Sequence, residues 1–426
     1  MVIATLFISL FVMIVLGFPV AFALAGSALL AIIVYGQVPE LVVLHRMVGG
    51  IDSFPLLAIP FFVLAGALMN SAGITSRIFD FANAMVGWMR GGLGHVNVSA
   101  SIMFAGMSGA AVADAGGLGA IEVKAMREKG YDAGFSVGVT AASSTIGPII
   151  PPSLPMIIYG VMAGASIGQL FAAGFIPGLL MAIALMAMVW YYAKKRNYPK
   201  DAGFSMTRLT TTFQAAFLSL MTPVIIIVGI LFGIFTATEA AIAATAYALF
   251  LGTAVYRTLT WKKLVQVSME TIETTSIILM IIAGAAIFSW VLTSQHVTAD
   301  FTAWMLTVTD SKVAILLLMT LILFVVGCFM ETIAAITILT PVLLPIAISL
   351  GIDPVHFGVM MVLNLMIGLL TPPVGMVLYV LSRISNVPFE DCARATIPFL
   401  IPLVIVLLLV TFIPELSMWL PTLLYR

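Results

Sequence analysis

Two groups of small polar residues in this chain have the types and the spacing of sites that bind alkali cations. Hydroxyl, carboxylate and backbone carbonyl oxygens are hard ligands that suit such ions. Freed N–H groups at the ends of interrupted helices attract carboxylates, and freed carbonyls attract cations. One group lies in each half of the sequence, and their members are Ser108, Gly109, Asp114, Ser143, Ser144, Thr145 and Gly147, and Glu331, Thr332, Asn364, Gly368 and Thr371.

Each group includes a proline motif that interrupts a long apolar stretch. A Gly-Pro-Ile-Ile-Pro-Pro run occupies residues 147–152, and a Gly-Leu-Leu-Thr-Pro-Pro run occupies residues 368–373. Proline lacks an N–H and its ring clashes with the preceding turn, so adjacent prolines release several backbone groups from the helix. In hydrocarbon such groups persist only where they line a cavity or bind something polar. A matched pair of interrupted segments is typical of a transporter's substrate and ion site.

The composition is that of a polytopic membrane protein. Hydrophobic residues make up 62% of the 426 residues and charged residues only 8%, far from the range of soluble domains. Segments of about 20 apolar residues are long enough to cross a bilayer. Whether residues 1–16 cross separately is open at this stage. We predict membrane segments near residues 18–35, 54–71, 136–164, 169–192, 213–235, 239–256, 274–293, 356–382 and 396–420.

Several classes of function are excluded or disfavoured. The formal net charge is zero, which makes nucleic acid a poor candidate for a partner. Cys328 and Cys392 have no metal-like spacing, and the four histidines do not cluster. The sequence lacks a phosphate-binding loop, a dinucleotide-type glycine pattern and the common hydrolase motifs. We therefore expect neither an enzyme nor direct use of ATP.

The two halves predict an inverted repeat. They align at a shift of about 221 residues, which pairs Gly147 with Gly368 and Pro151 with Pro372. Short loops rich in Lys and Arg, at 193–212 and 257–263, should be cytoplasmic, and the two broken segments then run in opposite directions. We predict repeats at 1–205 and 206–426, broken helices at about 136–164 and 356–382, and re-entrant hairpins at about 95–123 and 313–350, entering from the cytoplasm and from outside respectively.

Other interpretations of the same residues stay open. Small residues near Ser108 could allow close helix packing, as could three glycines spaced by four at 160, 164 and 168. Asp114 could cap a helix at the cytoplasmic interface. Glu239 more plausibly caps the helix that follows it. The hydroxyl groups of 143–145 and of Thr371 could satisfy the broken backbone locally, which does not exclude ion binding. Glu331, between two apolar runs, is costly without a partner.

Four segments resemble the large membrane subunit of tripartite ATP-independent periplasmic (TRAP) transporters. They are the Phe-Pro-Leu-Leu-Ala-Ile-Pro run that begins at residue 54, the Met-Ser-Gly-Ala-Ala-Val-Ala-Asp run at 107–114, the Ile-Ile-Pro-Pro-Ser run at 149–153 and the Leu-Thr-Pro-Pro-Val-Gly run at 370–375. The resemblance covers essentially the whole chain. It implies an all-α fold related to the ion transporter superfamily, with two hairpins, two broken helices and an elevator-type movement.

The resemblance also implies partners and ligands. A periplasmic binding protein would deliver an organic acid to this chain and to a separate four-helix membrane subunit in the bacterial inner membrane, and a sodium gradient would drive uptake. We expect substrate near Ser108, Ser143, Ser144 and Asn364. The alternative is a stand-alone cation-coupled carboxylate symporter or sodium/proton antiporter of related fold. Carried over to this sequence, the sodium ligands are Ser108, Gly109, Thr145, Gly147 and Pro151 in the first site, and Glu331, Thr332, Gly368, Thr371 and Pro372 in the second.

Overall fold

The computed structural model describes residues 1–198, 203–297, 299–300, 303 and 311–425, apart from the side chain of Ser108. Parts of two predicted loops, 199–202 and most of 298–310, lie outside these residues. The first half contains α1 (Val2–Val15), α2 (Val20–Tyr35), α3 (Leu41–Ile51), α4 (Ala58–Ser71), α5 (Ile74–Val86), α6 (Gly92–Ser108), α7 (Ala111–Glu128), α8 (Ala133–Ser144), α9 (Leu154–Ala163) and α10 (Ile167–Lys195). The second half contains α11 (Met206–Leu231), α12 (Ala237–Phe250), α13 (Trp261–Ser294), α14 (Lys312–Phe329), α15 (Thr332–Ser349), α16 (Pro354–Gly368), α17 (Met376–Ser385), α18 (Phe389–Phe412) and α19 (Glu415–Leu424).

The hairpins and broken helices are present in both halves, as predicted. Helices α6 and α7 form hairpin 1, and α14 and α15 form hairpin 2. Helices α8 and α9 are separated by break 1 (residues 145–153), and α16 and α17 by break 2 (residues 369–375). Helices α14 to α17 begin and end within about three residues of the positions that the shift between the proline motifs gives for α6 to α9. The Pro151–Pro152 and Pro372–Pro373 peptide bonds are both cis.

Three helix assignments differ from a simple reading of apolar windows. Residues 2–15 form a separate helix that packs against α2. The segment 36–53, which lies between two predicted membrane segments, contains the amphipathic helix α3. The window 396–420 holds two helices, because α18 ends at Phe412 and α19 begins at Glu415, after Pro414. Proline cannot donate the backbone hydrogen bond that a continuous helix needs there.

The helices pack into two assemblies. In the outer assembly, α2 and α3 pack against α13, α1 packs against α2, and α4 packs against α12 and α13. In the inner assembly, the two halves interlock: α7 of hairpin 1 contacts α17, and α15 of hairpin 2 contacts α9. Each hairpin therefore packs against the broken helix of the opposite half. Helices α5 and α11 join the assemblies, since both also contact α6.

The lengths and the surface of the helices fit a bilayer. Eight helical segments among the described residues are long and apolar enough to cross a membrane. Large apolar side chains are exposed on the outside of the molecule, for example Phe11 on α1, Phe217 on α11 and Ile183 on α10. Such surfaces are stable in contact with lipid. The chain is a multi-pass membrane protein.

A polar clamp holds the start of α8 to the end of α10. Asp132, which precedes α8, accepts hydrogen bonds from the Tyr198 hydroxyl and from the Arg196 guanidinium, the latter at 2.5 Å. These donors, the Tyr198 hydroxyl first, hold the pKa of Asp132 below its ordinary value. Tyr198 also stacks on Tyr131, with ring centroids 4.6 Å apart. The clamp fixes the base from which α8 runs to break 1.

Candidate functional site

The tip of hairpin 1 is bonded directly to break 1. Its backbone turns at Gly109, whose φ of +59° is in the left-handed region, where glycine is favoured. The Gly109 carbonyl accepts a hydrogen bond of 3.3 Å from the N–H of Leu154, at the start of α9. A Cβ at Gly109 would lie 2.7 Å from the carbonyl oxygen of Pro152. Only glycine therefore allows this approach of the two backbones.

The tip of hairpin 2 contacts break 2 in an equivalent way. The Cys328 carbonyl accepts a hydrogen bond of 3.2 Å from the N–H of Val374. Beside this bond, α14 and α16 cross at Gly327 and Gly368, where a Cβ on Gly368 would lie 2.5 Å from the Gly327 carbonyl carbon. In both halves the predicted hairpin tip and the predicted helix break thus form one unit.

Hydroxyl groups before break 1 bond to the broken helix itself. Ser144 donates to the Ala141 carbonyl at 2.8 Å, and Thr145 donates to the Ala142 carbonyl at 2.6 Å. After the break, Ser153 caps α9 by accepting from the N–H of Met156 at 3.2 Å. This confirms local satisfaction of the break. A hydroxyl oxygen that donates its proton to a carbonyl keeps lone pairs for a cation.

Ser143 belongs to a buried network that the sequence alone did not reveal. Its hydroxyl donates to Asn97 Oδ1 at 2.6 Å, and Asn97 Nδ2 donates to Thr140 Oγ1 at 2.7 Å. Asn97 lies on α6, so the network ties hairpin 1 to α8. An Asn inside an apolar hairpin was the available signal, but its partner could not be read from spacing.

At the second tip, Glu331 is the N-cap of α15. Its Oε2 accepts hydrogen bonds from the N–H groups of Ile333 at 2.9 Å and Ala334 at 3.2 Å. A carboxylate is favoured at this helix end, where backbone N–H groups carry partial positive charge. Glu331 thus has a defined orientation at the tip, directly before Thr332.

Two hydroxyl groups flank the same tip in different environments. Thr332 is 3% exposed, and its Oγ1 has no hydrogen-bond partner among the residues that the structure describes. Thr371, in break 2, donates to the Ile367 carbonyl at 3.1 Å. An unpartnered buried hydroxyl costs about 1–3 kcal/mol. Thr332 is therefore the tip group most in need of a ligand.

Asn364 is buried on α16 with one half of its amide engaged. Its Nδ2 donates to the Thr320 carbonyl of α14 at 2.8 Å. Its Oδ1 has no partner within the described part of the chain. Asn364 thus presents a free acceptor in the wall of hairpin 2, whereas Ser143, at the equivalent place in the first half, is fully engaged.

Two interpretations that concerned packing and capping are settled by the structure. Asp114 does not cap a helix: α7 has Ala110 as its N-cap, and Asp114 is buried one turn later. Glu239 does cap α12, in a capping box with Thr236. A Cβ added to Gly160 or Gly168 would meet neighbouring side chains closely, so these two glycines allow tight packing. Gly164 instead ends α9 in the left-handed conformation.

A cavity of about 400 Å³ lies between the two assemblies, next to the first tip. This volume is within the range of small-molecule sites. Ser143, Ser144 and Asn364 are not among its lining residues, and the side chain of Ser108 lies outside what the structure describes. The walls come from α4, hairpin 1, the start of α9 and α13, and the lining residues are Val63, Gly66, Ala67, Asn70, Phe104, Ala110, Ala113, Gly116, Gly117, Leu154 and Thr274.

Asn70 and Thr274 are the polar side chains in that lining. The Thr75 hydroxyl donates to Asn70 Oδ1 at 3.0 Å, which directs Asn70 Nδ2 away from that bond. A Cβ on Gly117 would lie 3.6 Å from Nδ2, so the amide faces the small residues of α7. The amide can therefore donate to an anion in the cavity. Sequence reasoning missed Asn70, although an Asn at the end of an apolar helix was a signal.

Comparison with known proteins gives consistent results across the chain. Residues 7–416 match the family model described as "Tripartite ATP-independent periplasmic transporter, DctM component". The chain is 50% identical, over 96% of its length and 95% of the relative, to the sialic acid TRAP transporter large permease protein SiaM of Vibrio cholerae. It is 39% identical, over 95% of each protein, to the 2,3-diketo-L-gulonate TRAP transporter large permease protein YiaN of Escherichia coli.

A solved structure shows a similar fold. The YdaH transporter of Alcanivorax borkumensis superposes with a TM-score of 0.64, over 88% of this chain and 87% of that chain, at 14% sequence identity. At this identity the likeness concerns the fold alone. It supports an all-helical, polytopic transporter architecture.

The close crossing of α14 and α16 predicts that Gly368→Ala destabilises the protein. The added Cβ would meet backbone atoms of Gly327, which cannot rotate away. We expect a loss of about 1–3 kcal/mol, the usual cost of overpacking, seen as a lower thermal unfolding midpoint of the purified chain. Gly49→Ala is the control, since no atom lies within 4 Å of its added Cβ. Equal thermal unfolding midpoints for the two variants would show that α14 and α16 do not approach each other this closely at Gly368.

Proposed function

The chain belongs to the family of TRAP transporters as their DctM component, the large membrane permease subunit, and on that premise we propose that it takes up an organic acid by sodium-coupled secondary transport. In this proposal a periplasmic binding protein delivers the acid. The observation that carries it is the bonding of each hairpin tip to a helix break, with a cavity of about 400 Å³ next to the first tip. Such irregular backbone is expensive in a membrane unless it binds something polar.

Sodium would bind where the tips meet the breaks. In the second half, the unpartnered Thr332 hydroxyl, the Glu331 carboxylate and the Thr371 hydroxyl lie on the tip and the break. In the first half, Thr145 lies at the start of break 1, and the N–H of Leu154 at its end bonds to the tip carbonyl of Gly109. Oxygen ligands of this kind suit a hard monovalent cation. The full set proposed is the ten residues carried over from the family.

The substrate anion would occupy the cavity between the assemblies. No charged side chain is among the lining residues. A carboxylate would be held by Asn70 Nδ2, the Thr274 hydroxyl and the N–H groups at the start of α7, because Ala110 lies in the cavity wall. Sodium at the adjacent tip would offset the remaining charge.

Sialic acid is the first substrate to examine. The two relatives named for sialic acid transport are 50% and 44% identical to this chain. Relatives named for isethionate, diketo-gulonate and C4-dicarboxylates are 39–40% identical. All of these ligands are acids. An organic acid is therefore better supported as the substrate class than sialic acid is as the particular substrate.

An elevator-type movement fits the division into two assemblies. The hairpins and broken helices interlock with one another, while α1–α4, α12 and α13 pack mainly among themselves and meet them through α4 and α13. The cavity lies at the border between the two groups. Sliding of the inner assembly against the outer one would carry the substrate across the membrane. We place the protein in the bacterial inner membrane, beside a separate four-helix subunit that covers part of its apolar surface.

The whole proposal is tested by uptake into proteoliposomes. The chain is reconstituted with its small subunit, and sialic acid uptake is measured with and without the binding protein and an inward sodium gradient. Uptake is expected only when both are present. Uptake by the chain alone would instead support a stand-alone symporter. An uptake rate that is the same with and without the sodium gradient would refute sodium coupling.

Asn70→Ala is expected to weaken substrate recognition. It removes the amide that Thr75 orients toward the cavity. A hydrogen bond to a charged group contributes about 1.5–3 kcal/mol, so KM for uptake should rise roughly 10-fold or more. Gln266→Ala, which removes an exposed amide on α13, is the control. An unchanged KM in the Asn70 variant would remove this residue from the site.

Thr332→Val tests the second sodium site. The substitution keeps the shape of the side chain and removes a hydroxyl that has no hydrogen-bond partner among the described residues. Without sodium, the variant should be at least as stable as the parent, because no hydrogen bond is lost. The rise in unfolding temperature on adding NaCl should be reduced. Thr337→Val, on the same helix, removes a hydroxyl that already donates to Ala334 and should leave the sodium response unchanged.

A further inference from the structure

Hairpin 1 contains an unusual concentration of buried polar atoms without partners. Among the described residues, twelve buried side-chain nitrogen and oxygen atoms lack a hydrogen bond, and seven of them lie on α6 and α7. Such groups are rare in native proteins and usually indicate a function or a bound species. We call the five residues that carry them the polar seam: His95, Ser99, Ser101, Asp114 and Glu122.

The carboxyl groups of the seam occupy the buried stripe of α7. Asp114, Leu118 and Glu122 are spaced by four residues, so they share one face of the helix. Asp114 and Glu122 are each 1% exposed, like the apolar side chains around them. Within the part of the chain that the structure describes, both oxygens of Glu122 and one oxygen of Asp114 have no hydrogen-bond partner. Removing a bare carboxylate from water costs far more than removing a protonated one.

Among the described residues, the helices packed against α7 supply no ion-pair partner to these groups. Arg77 stacks on Tyr256, Asp132 is clamped by Arg196, and Arg127 donates to the Ser385 carbonyl. Asp80, Lys124, Glu128 and Arg383 are exposed. If both were ionised, Asp114 and Glu122 would carry like charges on one face of the helix and would repel each other.

The seam follows the long axis of the hairpin. Ser101 lies beside the Asp114 carboxyl group. Since α6 and α7 run antiparallel, His95 lies at nearly the same level as Glu122, toward the end of the hairpin that the loop charges place in the cytoplasm. Asp114 lies nearer the tip and the cavity. Chains of Asp, Glu and His inside membrane proteins are typical of proton pathways.

A metal cation fits the seam poorly. Hard cations are held by about six oxygen atoms that converge on one point. Asp114 and Glu122 are eight residues apart, which is about 12 Å along a helix axis, and the described residues contain no cluster of acidic, His and Cys side chains that could hold a metal. A proton needs only one carboxyl oxygen. The geometry therefore favours protons over sodium at this place.

We propose that Asp114 and Glu122 are proton-binding groups, so that hairpin 1 carries protons on its buried face as a second cation-binding element, separate from the tip sites. When the seam is hydrated from the cytoplasmic end, these protons exchange with water there. This goes beyond the proposed function and requires neither sodium coupling nor an identified substrate.

Infrared spectroscopy of the full chain in lipid nanodiscs tests the proposal directly. A protonated buried carboxyl group has a C=O stretching band that ionised and solvent-exposed carboxylates lack at neutral pH. We expect such a band in the parent protein, a loss of part of it in Glu122→Gln and in Asp114→Asn, and loss of the whole band in the double variant. Glu128→Gln changes an exposed residue at the end of the same helix and should leave the band intact.

The controls keep each outcome informative. If a variant fails to fold, isotope labelling of all Glu or all Asp carboxyl groups in the parent chain assigns the band by its shift. Absence of the band at neutral pH, or a band unaffected by either variant or label, would overturn the proposal. A band that appears only when sodium is withdrawn would also overturn it, because the seam would then hold a metal cation. None of these readouts depends on substrate uptake.

Discussion

The fold depends on satisfying backbone groups that two helix breaks release inside an apolar layer. Water is excluded there, so each released N–H or carbonyl group needs a protein or ligand partner. The N–H groups of Leu154 and Val374 find theirs in the carbonyl groups of the facing hairpin tips, Gly109 and Cys328. Hairpin and break are thus stable only together. The glycines at these contacts follow from the same need, because a side chain would separate the two backbones.

This constraint also explains how the two halves combine. A tip is bonded to the break of its own half, whereas its second helix packs against the broken helix of the other half: α15 on α9, and α7 on α17. Each repeat therefore completes its own break, but it buries the second helix of its hairpin against the other repeat. The result is one inner assembly that bears both candidate cation sites, with the cavity along its border with α4 and α13.

The sequence predicted those parts of the structure that local chemistry decides. Paired prolines and small residues located both breaks and both tips, because proline and glycine act on their own backbone. Helix α3 was missed because an amphipathic helix lacks the continuous apolar run that marks a membrane segment. The network of Asn97 with Ser143 and the orientation of Asn70 by Thr75 depend on contacts between different elements. Spacing along the chain contains no record of such contacts, so neither the Asn97 network nor the orientation of Asn70 in the cavity wall could be predicted.

The repeat itself offers a reason to treat the acidic residues of hairpin 1 as functional. At the shift that relates the two halves, Asp114 and Glu122 correspond to Ala335 and Leu343, which are 0% and 1% exposed. The same architecture is thus built with apolar side chains at both positions, so packing does not require carboxyl groups there. In the opposite direction, the tip carboxylate Glu331 corresponds to Ala110. The halves share a backbone but place their acidic groups differently, at a tip in one and along a buried face in the other. Since an unpaired buried acid is a cost that the sister hairpin avoids, its presence in hairpin 1 is best explained by the ion it binds.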